Sequence, residues 1–182
     1  MNLLKNLRDK TRDELNDHLN SIGVDSQLVE RGQSAEKEEN SWYQRSLGVI
    51  EIREGPIVVI NILKKDRTKH SPPKWWIILG IPDERLTSNH LGVKIKTVRK
   101  KSFPIFGKVV DIAWKGNDSG TGLLKILSTD ADTKMLSTSI GNLEVKSKIG
   151  GWTLTVDRRM TPTRNQWESF EKITNYILKL VL

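Results

Sequence analysis

Residues 103–122, FPIFGKVVDIAWKGNDSGTG, hold the clearest strand of the chain, its most Gly-rich turn and the end of its most basic run. Val109, Val110, Ile112 and Trp114 form a β-branched and aromatic run that reads as a core strand. Gly116, Gly120 and Gly122 then break it before Leu123, Leu124, Ile126 and Leu127, which suit one or two turns of helix. Strand, loop and helix follow one another here.

Outward from this stretch the hydrophobic period is mostly two. Upstream, 93–99 alternates Val93, Ile95 and Val98 with Lys94, Lys96 and Thr97, and 75–81 makes another strand, closed by the turn IPDERL. Residues 49–53 and 57–63 read as a hairpin around a turn at 53–56, with Pro56 opening the second strand because it cannot donate a ladder hydrogen bond. Pro72 and Pro73 keep the loop KKDRTKHSPPK extended. Downstream, 130–140 suits a short helix ended by Gly141. Residues 143–149 and 152–158 form a hairpin joined by Gly150 and Gly151. The last helix starts at TPTRNQ, where Pro162 fits the first turn and Thr163 with Gln166 has the spacing of a capping box. Trp167, Phe170, Ile173, Ile177 and Val181 are its apolar stripe.

At the other end, residues 1–24 read as an amphipathic helix, with Leu4, Leu7, Thr11, Leu15, His18 and Ile22 on one stripe, Leu3 and Leu19 beside it, and Gly23 at the C-terminal cap. Residues 25–41, containing GQSAEKEEN, read as an acidic mobile linker, and 42–182 as a single domain. The expected class is α+β: a mostly antiparallel sheet of about seven strands, amphipathic helices at both termini, and a short helical insertion near 122–140.

The 182 residues carry no cysteine, which removes disulfides, thiolate nucleophiles and cysteine zinc sites. No apolar run approaches the roughly 20 residues of a membrane span, and the leader is too densely charged for a signal peptide. The expected location is the cytoplasm. The net charge of +8 is unevenly spread: residues 1–40 carry six basic and nine acidic side chains, so the body is strongly basic. That balance favours acidic partners.

The basic residues are the strongest functional signal. Lys94, Lys96, Arg99, Lys100, Lys101 and Lys108 fall in fifteen residues without an acid, and Lys64, Lys65, Arg67, Lys69 and Lys74 crowd the earlier loop. Together they are candidates for anion binding, against the plainer role of blunting a sheet edge. Trp75 and Trp76 are candidate aromatic contacts; as strand neighbours they face opposite sides, so one belongs to the core. Gly116, Asp118, Ser119, Gly120 and Gly122 form a loop that could offer amides to a phosphate, yet Leu123 and Leu124 stand where a P-loop has its Lys-Ser or Lys-Thr pair. Ser119 has no motif tying it to His18, His70 or His90. Asp111 is an acid within a strand, turned to solvent or else a buried, paired charge. No catalytic residue, metal site or cofactor is assigned. The chain reads as a sequence-nonspecific binding protein for nucleic acid or another polyanion. The alternatives are a protein-interaction or self-association module using the N-terminal helix and an exposed tryptophan, and an enzyme of unrecognised type with a pocket at 116–122.

Overall fold

The computed structural model describes residues 9–32, 34–37, 40, 44–88, 92–102 and 109–181. In chain order these form α1 (Thr11–Ser21), β1 (Ser26–Leu28), a 3-10 turn (Ser34–Lys37), β2 (Arg45–Ile52), β3 (Val59–Lys65), β4 (Lys74–Pro82), β5 (Lys94–Lys101), β6 (Val109–Asn117), α2 (Leu123–Thr129), α3 (Ala131–Ile140), β7 (Leu143–Lys148), β8 (Gly151–Val156) and α4 (Arg164–Leu178). The strands make one antiparallel sheet in the order β1-β2-β3-β4-β8-β7-β5-β6. The α+β class and the terminal helices are as expected, with eight strands rather than about seven. The added strand is β1, three residues within 25–41, which pairs Ser26, Gln27 and Leu28 with Ile52, Glu51 and Ile50. Three residues are too few to show a period.

One row of register partners shows how the core is built. Ile50, Ile60, Leu79, Leu154, Val145 and Ile95 succeed one another across six strands, and every one is fully buried. Strand side chains alternate between faces, so this row and the rows two residues to either side of it define the side on which the helices lie. Leu15 and Leu19 of α1, Leu123 and Leu127 of α2, Leu136 and Ile140 of α3, and Trp167, Phe170, Ile173 and Ile177 of α4 close over it in one cluster. Each large α4 side chain contributes about 1.5–3 kcal/mol of burial.

Local chemistry sets the boundaries. The capping box of α4 is formed: Gln166 N donates to Thr163 Oγ1 and Thr163 N to Gln166 Oε1. Pro162 lies just before this cap rather than in the first turn, since Thr163 itself is the N-cap. Asp130 caps α3 by accepting from Thr133 N at 2.9 Å, and Gly141 ends it. The β7–β8 turn is Ile149 and Gly150, not the Gly-Gly pair; Gly151 is already in β8, where a Cβ would meet Ile81 O at 2.4 Å. Pro56 sits in the β2–β3 turn, ahead of β3. Helix α1 is laid on the sheet, with Leu15 and Leu19 in the core and Gly23 at φ 80 past its end. Leu3, Leu4, Leu7, Ser41, Trp42, Gly107, Lys108 and His90 lie outside the described residues.

Candidate functional site

The register row next to the core row belongs to the opposite face, on which no α-helix lies among the described residues. It runs Val49, Asn61, Ile78, Thr155, Glu144, Lys96 and Lys115 across seven strands. Parity then places Lys74, Lys94, Lys100, Lys146 and Lys148 on this face with Lys96 and Lys115. Seven lysines thus share a surface whose strands from β4 to β6 carry only Glu144 and Asp111 as acids. Two contacts confirm the shared face: Lys94 Nζ is 3.7 Å from Glu144 Oε2, and Lys100 Nζ is 3.3 Å from Asp111 Oδ2. Asp111 is turned to solvent rather than buried, its carboxyl lowered by the Ile112 amide and by the exposed Lys100. Near β2 and β3 the face is partly covered by the 3-10 turn, whose Glu36 carbonyl accepts from Asn61 Nδ2.

Midway across this face the sheet splits. β5 and β7 pair only from Lys94 to Lys96, and beyond that Leu143 N donates to the Thr97 hydroxyl at 2.8 Å instead of to backbone. Ser137 of α3 lies 3.0 Å from the same hydroxyl. The two strands diverge, and a groove of about 640 Å3 opens between β4 and β5. Trp76 forms one wall; Lys96, Val98 and Arg99 form the other, with Asn142, Glu144, Thr155 and Asp157 between them. Three strand spacings separate the walls, about 14 Å.

The groove is polar but not fully satisfied. Asp157 accepts from Asn142 N at 2.9 Å and from Asn142 Nδ2 at 2.7 Å, which leaves Asn142 Oδ1 buried with no partner. Arg99 Nη2 donates to Ser137 O at 2.5 Å while its Nε is buried and unpartnered. Burial, with the positive charge of Arg158 beside it, lowers the proton affinity of the Arg99 guanidinium. Arg99 therefore leaves the lysine face and ties β5 to the end of α3.

The other candidates divide in two. Lys64 points toward the helix side, where its Nζ reaches Asp9 Oδ2 at 2.6 Å and lies 5.2 Å from the Trp75 ring centroid. Trp75 packs against the core, so Trp76 is the tryptophan that faces outward. Lys65 and Lys74 pair across β3 and β4, and Arg67 and Lys69 line the exposed loop beyond them. That loop and the groove occupy the same end of the sheet, where β3 and β5 end and β4 begins. The two basic clusters thus share one end, roughly 19 Å apart across four strand spacings. Of Lys101 the backbone is described, at the end of β5.

The 116–122 loop lies at the opposite end, and its own carboxylate occupies its amides. Asp118 accepts from Gly120 N and Leu124 N, both at 3.2 Å, and Asn117 Oδ1 accepts from Ser119 N at 2.9 Å. Gly116 belongs to β6, and Ser119, Gly120 and Gly122 take positive φ in the turn. His18 Nε2 is 2.7 Å from Pro162 O and His70 sits in the loop after β3, so neither is hydrogen-bonded to Ser119. Among the described residues no group of three His, Asp or Glu could hold a metal ion, and no helix is long and apolar enough to cross a membrane.

Lys115, Lys146 and Lys148 escape a reading that looks for lysine runs. Their signal is parity: Lys146 and Lys148 repeat at two residues, as Lys94 and Lys96 do. No protein-family model, curated protein or solved structure matches the chain.

Proposed function

We propose that the protein binds nucleic acid, without sequence specificity, across the open face of its sheet. The observation that carries this is the register, which from β4 to β6 gathers seven lysines against two carboxylates on the face that no α-helix covers among the described residues. A field of that sign attracts phosphates and releases their counterions. Edge protection accounts less well for the pattern, because β5, β7 and β8 are interior strands and need no blunting. The same proposal places the protein in the cytoplasm as a binding protein rather than an enzyme.

The test is fluorescence anisotropy of labelled mixed-sequence nucleic acid against salt. Five neutralised phosphates, matching the excess of seven lysines over two carboxylates from β4 to β6, would weaken binding about 100-fold for a single strand and about 500-fold for a duplex between about 50 and 200 mM salt. Absence of binding at the lower salt, or a flat salt response, overturns the proposal.

A further inference from the structure

We infer that the groove between β4 and β5 seats unpaired bases, so that the partner of the open face is single-stranded nucleic acid. This rests on the binding proposed above and goes further, because lysines alone favour a duplex: its charge density is higher and its counterion release steeper. Something other than charge has to reverse that order, and the groove supplies it. Trp76 stands at one wall, half-buried, on the same face as the lysines. An aromatic ring beside a basic strand is the means by which proteins hold single strands, since every base has a face to stack and a duplex keeps those faces hidden.

The dimensions agree. A cavity of about 640 Å3 falls within the size of sites that enclose small organic ligands, so it has room for a base with its sugar. Lys96 on the far wall and Lys115 beside it in register lie where the phosphates of a strand crossing the groove would pass. Asn142, bordering the groove, holds a buried acceptor, Oδ1, without a partner. A small rotation of this side chain toward a base edge would give that oxygen a donor. Trp75 offers no such platform: it faces the core side, and Lys64 and Arg159 lie 5.2 and 5.7 Å from its ring centroid.

The experiment compares anisotropy of a labelled mixed-sequence 12-nucleotide DNA and its duplex, at about 50 mM salt, for the wild type, Trp76→Ala and Trp76→Phe. The expected result is tighter binding of the single strand. Trp76→Ala should weaken single-strand binding roughly 5- to 150-fold, the equivalent of about 1–3 kcal/mol of stacking, and leave duplex binding within a factor of about two. Trp76→Phe should keep most of the single-strand affinity. Equal or tighter duplex binding, or a preference for single strands that survives Trp76→Ala, overturns the inference and leaves nucleic-acid binding standing. Binding of neither probe overturns both. If Trp76→Ala fails to fold, the wild-type preference and the Trp76→Phe variant decide.

Discussion

Replacing Asp9 by Asn should destabilise the protein at neutral pH and cease to do so in acid. Asp9 accepts from Lys64 Nζ at 2.6 Å, from Thr11 Oγ1 at 2.6 Å and from Thr11 N at 3.1 Å, and both members of the ion pair are only 17% exposed. The pair joins the start of α1 to β3. Burial alone pushes the Asp9 carboxyl up, but the bonds from Lys64 and Thr11 outweigh it and hold it at about 2, against an ordinary 3.8. A carboxyl lowered from 3.8 to about 2 corresponds to about 2.5 kcal/mol, which the remaining exposure to water reduces to about 1.5–2. Because the folded carboxyl is depressed, this stability is fully present above about pH 4, falls as pH drops toward 2, and is absent below. Urea unfolding followed by tryptophan fluorescence should therefore show Asp9→Asn about 1.5–2 kcal/mol less stable than wild type at pH 7, with the gap closing near pH 2. Lys64→Met, which spares the Thr11 bonds, should cost about 1 kcal/mol at pH 7. A gap equally large at pH 2, or none at pH 7, would mean that the Asp9 ion pair does not supply this stability.

Two further substitutions probe the frame that carries the groove. Asp83, with a side chain 4% exposed, accepts from Arg85 Nε and Nη2 at 2.8 Å and from the buried Trp152 Nε1 at 3.1 Å, while Arg85 holds the Leu178 and Leu180 carbonyls at the end of α4. Asp83→Ala should cost about 3 kcal/mol in urea unfolding, less than a fully buried pair because Arg85 regains water. Gly116 has φ 140, and a Cβ there would stand 2.1 Å from Lys94 O. Gly116→Ala should cost at least about 3 kcal/mol and lower Tm by roughly 6–12 °C, read by circular dichroism.

Much of the fold was legible because its signals are local. The Thr163 and Gln166 box starts α4, Asp130 and Gly141 bracket α3, and β5 to β8 each alternate strongly enough to declare a period of two. The strand order was not legible: β8 inserts between β4 and β7, a pairing set by long-range packing of Leu154 between Leu79 and Val145 rather than by any turn. The candidate site was half visible. Lys94, Lys96 and Lys100 stand out in sequence, but Arg99 in the same run turns to the other face because strand parity outranks proximity in sequence. Lys64 pairs with Asp9, 55 positions away, which no local pattern announces. The groove itself depends on one hydroxyl, Thr97, taking a ladder bond from Leu143, and it appears only once β5 and β7 are neighbours.

Binding at the open face is tested most directly by charge reversal there against charge reversal on the helix side, with equal change in net charge. Lys96→Glu with Lys115→Glu alters two register partners in the basic row; Lys125→Glu with Lys179→Glu alters two exposed lysines, one on α2 and one at the C-terminal cap of α4. Measured by anisotropy with labelled single-stranded DNA at about 50 mM salt, the first pair should lose roughly 100-fold in affinity and the second only a few-fold. Equal losses would show that net charge, and not the face built by the sheet register, governs binding, and would contradict the account.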